Sequence, residues 1–327
     1  MQDQRMVTMD REYLVERRKL GRKVTFWRAV AFIIVVLALI GTGFYAAGGP
    51  QLERRQAHIA RVKISGVITG DDATIKLLKD VQESNAKAAL IVIESPGGTV
   101  TGSEALYEAL RKLSAKKPTV AVIEGMAASG GYIAAMGTDH LIARETSIVG
   151  SIGVLFQYPD VVRMLDMIGI KVESIKSSPL KAAPSPVESA TPESRAAIAA
   201  LVNANYDWFK ELVKTRRQLP DSRVAEVSDG RVFTGKQGVS LGLVDDVGSE
   251  DQAIVWLEKE RGIAKGLPVR DWHKNGIAEQ WGLTESAVKV LRMGGLEQIA
   301  LAFEALGEVS RVEVLDGMLV LWHPSRP

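Results

Sequence analysis

Two short apolar runs restrict the possible folds more than any other feature of this chain. "AALIVIES" at residues 88–95 and "PTVAVIEG" at 118–125 are rich in β-branched residues, nearly uncharged and continuous rather than alternating. A strand with one wet face alternates, whereas a continuous run belongs to a strand covered on both faces. Before these runs come a strand candidate at Ile59–Ile68 and a helix candidate at Asp72–Asn85 with Ile75, Leu78 and Val81 on one side. Between them lies "PGGTVTGSEALYEALRKL", with Leu106, Leu110 and Leu113 at helical spacing. Strands joined through helices by short connections specify right-handed crossovers and a mostly parallel sheet, an α/β architecture. Downstream, Thr191 as N-cap and Pro192 in the first turn open a long helix reaching Arg217. Its stripe of Ile198, Val202, Tyr206 and Phe209 suits core or a subunit contact.

The two ends read differently from this middle. Ala29–Ala47 is a 19-residue uncharged, mostly apolar stretch, about what a ~30 Å hydrocarbon layer requires of a helix. Residues 1–28 hold eight Lys and Arg, against four in residues 48–67. The positive-inside bias therefore puts the N-terminal tail in the cytoplasm and the bulk of the chain outside it. The expected organisation is a basic tail at 1–28, a transmembrane anchor at 29–50, a main domain at 51–262 and a C-terminal appendage at 263–327. A cleaved signal peptide is the rival reading of the apolar stretch, but the charged leader is long for one. The appendage carries a helical pattern near Leu283–Leu306 and a hairpin signal at Asp316-Gly317. A net charge of +2 gives no footprint for nucleic acid, and the absence of cysteine excludes disulfide and thiolate chemistry.

Three glycine-rich stretches fall at the C-terminal ends of expected strands: "SPGG" at 95–98, "MAASGG" at 126–131 and "VGSIGV" at 149–154. That edge of an open parallel sheet is where ligands bind. Ser129, between Ala128 and two glycines, reads either as an N-cap in a tight crossover or as a nucleophile beside helix-start amides able to hold an oxyanion. A nucleophilic serine needs a base, and none of His58, His140, His273 and His323 has the context of a triad member. Lys181 lies within eleven residues, Ser177–Val187, that hold no other charge. A desolvated amine there, its pKa lowered toward neutrality, could take the serine proton, although a lysine in such a Pro/Ser-rich loop is ordinarily solvated. No metal-ligand cluster or phosphate loop is apparent, so no cofactor or metal is expected.

Taken together and in order, "IVIESPGGTV", "GMAASGGYIAAMGTDHLIARETSIVGSIGV", "SSPLKAAPSP" with "TPESR", and "RVFTGKQGVSLGLVDDVGSEDQAI" closely resemble the short, single-domain bacterial signal peptide peptidase A family. This is a family of serine proteases with the Clp-protease/crotonase fold, a ββα superhelix with a mostly parallel sheet. The resemblance spans about Ile59–Gly262. It implies a Ser/Lys dyad in which Ser129 is the nucleophile, Lys181 the general base and Ser151 the residue that orients the lysine. It also implies oxyanion donors from Gly98 or Gly97, together with Gly130. Further implications are a ring- or dome-shaped homo-oligomer, an octamer being one candidate size, with each site shared between subunits. The substrates would be released signal peptides, cut at the outer face of the bacterial inner (cytoplasmic) membrane by a single-pass protein. Two alternatives stand beside it: a catalytically silent oligomeric membrane scaffold and a crotonase-type acyl-CoA enzyme.

Overall fold

The computed structural model describes residues 56–274 and 318–321, together with 23, 25–34, 36 and 38. Two units separate, residues 1–56 and 57–327. In the first, residues 25–34 are helical, with Phe26, Trp27, Phe32, Ile33 and Ile34 exposed. Among the described residues no helix is long and apolar enough to cross a membrane. Much of the expected anchor at 29–50, and the tail at 1–22, lie outside the described residues.

The second unit is built on a ten-stranded mixed sheet with the path β6-β10-β2-β3-β4-β8. Its first half follows the expected order: β1 (His58–Ile68), α1 (Asp72–Glu83), β2 (Ala86–Thr99), α2 (Val100–Ser114), β3 (Thr119–Ala128), α3 (Gly130–Ala135) and β4 (His140–Ala143). Each of β1/β2, β2/β3 and β3/β4 is a parallel pair. Then come β5 (Ile148–Gly150), β6 (Leu155–Phe156), α4 (Val162–Met167), α5 (Pro192–Arg217), α6 (Asp221–Val227), β7 (Val232–Thr234), α7 (Gly235–Leu241), β8 (Asp246–Val247), α8 (Glu250–Glu260), β9 (Val269–Trp272) and β10 (Met318–Leu321).

The continuous apolar runs are explained by cover on both sides of the sheet. Ala89, Ile91 and Ile93 of β2 join one buried cluster with Leu78, Leu106, Leu110 and Phe209. Ala88, Leu90 and Val92 join another on the opposite face with Ala253 and Leu257 of α8. Each fully buried Leu or Ile stabilises the unit by roughly 1.5–3 kcal/mol, so strand order and register follow from these two faces. Helix starts are set by side chains: the amide of Thr74 donates to Asp71 Oδ1 (2.9 Å), that of Gly102 to Thr99 Oγ1 (3.0 Å) and that of Ser194 to Thr191 Oγ1 (3.1 Å). The stripe expected on α5 is buried only toward its C-terminal half, at Phe209 and Val213, while Ile198, Val202 and Tyr206 are half-buried.

Two described stretches beyond Gly262 are strands of the sheet. β9 extends it beside β1, with Ile59 opposite Val269 and Val62 opposite Trp272. β10 pairs antiparallel with both β2 and β6. Of the segment expected as an appendage, 263–327, the described strands β9 and β10 thus pair with the main sheet, their backbones completing ladders that β1 and β2 would otherwise leave open. The helix expected near Leu283–Leu306 and the Asp316-Gly317 turn lie outside the described residues.

Candidate active site

The site forms where β3 ends. The last β2/β3 pair is Ser95 with Ala127, while on its other edge β3 runs beside β5 through Ala128 opposite Gly150. Ser129 and Ser151 therefore follow adjacent, parallel strand ends, and the Ser129 amide donates to Gly150 O at 2.7 Å. Both serines have left-handed backbones, φ 54° and 52°. For a residue with a Cβ this conformation is strained by about 1–3 kcal/mol and persists only where the surroundings impose it. Ser151 is held by its amide donating to Arg231 O at 2.8 Å.

Ser129 occupies the N-cap position of α3, yet its side chain makes no cap hydrogen bond. The capping alternative is thereby removed, and the hydroxyl is left for other use. It is 1% exposed. The following glycines are demanded by close packing: a Cβ on Gly131 would stand 2.7 Å from Ser95 O. Gly130 begins the helix, where an amide has no intrahelical acceptor.

The "SPGG" segment is not a turn but the end of β2, passing beside β1 with Gly97 opposite Val67 and Gly98 opposite Ile68. Contact there is so close that a Cβ on Gly98 would lie 1.8 Å from Ile68 O. Ser95, which the sequence reading did not single out, fixes this strand end. Its Oγ donates to Gly66 O (2.7 Å) and accepts from the Gly97 amide (3.1 Å). The Gly97 amide is thus committed to Ser95, while Gly98 is paired with Ile68 on one edge and Val320 on the other. A hydroxyl preceding a Pro-Gly-Gly run was the only signal available in the sequence.

Lys181 is exposed, in an irregular stretch between α4 and α5 where its amide donates to Ser178 O at 3.1 Å, and within one chain no hydrogen bond links it to Ser129 or Ser151. The desolvation expected for its amine is thus not provided by its own chain. The neighbourhood is unusually apolar for a surface: Met167 is 86% exposed, and Ile168, Ile170, Val172, Ile175 and Leu180 are exposed as well. Lys176 pairs with Glu188 across this stretch, and the ammonium holds that carboxyl below the usual carboxylate range. No cluster of His, Asp and Glu among the described residues is arranged to hold a metal ion.

A strained serine at a strand-to-helix junction, glycine amides next to it and a parallel sheet of this order define a Clp-protease-like serine hydrolase. Comparison with known proteins narrows the class. The model of Peptidase family S49 matches residues 111–264, and that of Clp protease matches residues 61–148. A candidate protease of Synechocystis sp. is 36% identical over 246 residues, 70% of this chain and 89% of that protein. A candidate signal peptide peptidase of Enterococcus faecium is 31% identical over 236 residues, 70% and 68% of the two chains. The chloroplastic serine protease SPPA of Arabidopsis thaliana is 32% identical over 194 residues, 58% of this chain and 28% of that protein. The chain belongs to peptidase family S49 and is a serine protease.

Proposed function

We propose that this protein is a membrane-anchored endopeptidase that degrades released signal peptides with a Ser129/Lys181 dyad assembled between subunits. The observation that carries this reading is the backbone strain at Ser129, with its side chain withheld from capping and Ser151 on the neighbouring strand end. In the forward reaction Ser129 Oγ attacks the scissile carbonyl carbon as its proton passes to Lys181 Nζ. The amides of Gly98 and Gly130 hold the resulting oxyanion. The intermediate collapses with cleavage of the C–N bond, and the Lys181 ammonium protonates the leaving amine. Water, deprotonated by Lys181, then attacks the acyl-enzyme and restores Ser129. Ser151 accepts a hydrogen bond from Lys181 and orients it.

The exposure of Lys181 amid uncovered Met167, Ile168 and Ile175 supports supply of the base by a neighbouring copy, whose packing would desolvate the amine. The apolar stretch Ala29–Ala47 and the charge bias around it support a single-pass anchor in the bacterial inner membrane, N-terminus in the cytoplasm. The name of the Enterococcus faecium relative supports signal peptides as substrates.

The test is complementation. Ser129→Ala and Lys181→Ala proteins should each fail to cleave a quenched fluorogenic peptide with an apolar core. Assembled together from equal amounts, they should recover about a quarter of wild-type activity, since a shared site needs an intact serine and an intact lysine from adjacent copies. Failure of the mixture, with mixed oligomers present, rejects the shared site. Full activity of Lys181→Ala alone rejects the base.

A further inference from the structure

The first half of α5 leaves its apolar stripe only partly covered. Ile198 and Val202 lie four residues apart on one helix face, and Arg195, three residues before Ile198, heads the same face. Leu155 and Phe156 of β6 and Tyr158 just beyond it complete an apolar groove, the two rings tilted with 6.0 Å between their centroids. The groove holds about 390 Å³, within the roughly 300–1,000 Å³ of ligand clefts. It adjoins two parts of the reaction centre: Pro184, three residues after Lys181, lines it, and Leu155 comes four residues after Ser151. Three or four residues span at most about 10–14 Å when fully extended. The groove therefore borders a reaction centre whichever copy's serine Lys181 serves.

Among the described residues Arg195 is the only charged side chain lining the groove, and its guanidinium has no ion pair or hydrogen bond. The acids nearest in sequence are engaged elsewhere: the Glu193 carboxylate turns back to Thr191 and its own amide, and Asp160 accepts from the Val162 amide at 3.1 Å. A planar guanidinium at the edge of an apolar trough offers two parallel N–H donors to a carboxylate, a geometry that a neutral amide cannot match. The complementary ligand is thus an apolar segment with one carboxylate, and a peptide terminus supplies it. Hydrolysis makes such a terminus: a signal peptide cut from its protein gains a C-terminal carboxylate that it lacks while joined. Resting on the peptidase reading above, we infer that Arg195 is a specificity-determining residue that receives the C-terminal carboxylate of an apolar peptide in this groove. By this contact the protein distinguishes released signal peptides from those still attached.

The probes are two N-terminally fluorescent peptides of the sequence Ala-Leu-Leu-Val-Leu-Ala, one ending in a free acid and the other in an amide. Binding is read by anisotropy with the full-length Ser129→Ala protein, so that cleavage plays no part. The acid should bind about tenfold tighter than the amide, the effect of one charge-assisted pair. Arg195→Gln should weaken the acid to the level of the amide and leave the amide unchanged. Arg195→Lys should keep part of the preference, since it retains the charge but not the fork. Equal binding of the two peptides, or none, or a preference that survives Arg195→Gln, overturns the inference. So does a change of oligomer mass in Arg195→Gln with both peptides weakened alike, because the guanidinium would then be holding a neighbouring copy. Hydrolysis of quenched versions by protein with Ser129 intact is measured separately. Its absence counts against the peptidase reading alone, since the binding comparison does not depend on turnover.

Discussion

Ser95→Ala removes one oxygen and cuts two hydrogen bonds at the strand end that carries the glycines proposed as oxyanion donors. The Ser95 hydroxyl lies between Gly66 O at 2.7 Å and the Gly97 amide at 3.1 Å, and the residue is fully buried. Alanine leaves the buried Gly97 amide without this partner, which costs about 1–3 kcal/mol where nothing replaces it, while the carbonyl of Gly66, an exposed residue, can turn to water. A loss of about 1–3 kcal/mol is one that a unit of this size survives. The melting temperature should drop by about 2–12 °C. Freed of its anchor, the Gly97–Gly98 segment can shift by a fraction of an ångström, and misplacing an oxyanion donor lowers kcat by about 10- to 100-fold. KM should change little, because the donor acts on charge that develops only in the transition state. The assay is steady-state turnover of an apolar fluorogenic peptide alongside thermal melting, with Ser95→Thr as the variant that keeps the hydroxyl. A Ser95→Ala protein that melts lower yet keeps the wild-type kcat would refute the positioning role and reduce Ser95 to a stabilising contact. An increase in kcat would show that the Gly97 amide, once released, is itself the donor.

Two further outcomes follow from the same geometry. Gly98→Ala places a methyl carbon 1.8 Å from Ile68 O, so β1 and β2 must part by about 1.5 Å there; turnover should fall by about 100-fold or more, and amide exchange should quicken at Ile68. At Asp245, burial pushes the carboxyl pKa up, but hydrogen bonds from Arg217 (2.6 Å) and the Leu141 amide (2.8 Å) outweigh it and hold the group below the usual carboxylate range. A lowered folded-state pKa contributes stability that is present above the unfolded value, about 3.9, and is lost as pH falls through the folded value. Asp245→Asn should therefore cost about 2 kcal/mol at pH 7, with the gap to wild type in urea melts closing below about pH 4.

What was legible in the sequence was what local pattern controls. β2 and β3 declared themselves because burial on both faces removes alternation, and α5 because Thr191 and Pro192 satisfy a helix start within three residues. The "SPGG" segment falls at the end of an expected strand, and glycine and proline, which break strands on average, do not show that the strand runs on through it. Here Gly97 and Gly98 are paired on both edges, and Gly98 is required by a contact with Ile68 some thirty residues away. β9 and β10 join β1 and β2 through pairs separated by about 200 residues, for which no local signature exists. Ser129 could not be told from an N-cap, since the distinction is a side-chain hydrogen bond that is not made. The surroundings of Lys181 were beyond reach for another reason: within one chain nothing covers it, so its chemistry is not encoded in contacts that a single chain makes.

The hold on Ser151 also sets a schedule for biosynthesis. Its amide is fixed by Arg231 O, and β5 has β7 as its outer neighbour, with Gly150 opposite Val232. Ribosomes add about 5–20 residues per second, so the roughly 80 residues from Ser151 to Arg231 separate the synthesis of the two partners by about 4–16 s. Throughout that interval the nascent chain carries Ser129 and Ser151 without the carbonyl and the strand that brace Ser151, so the left-handed backbone at Ser151 is held only once β7 has been made.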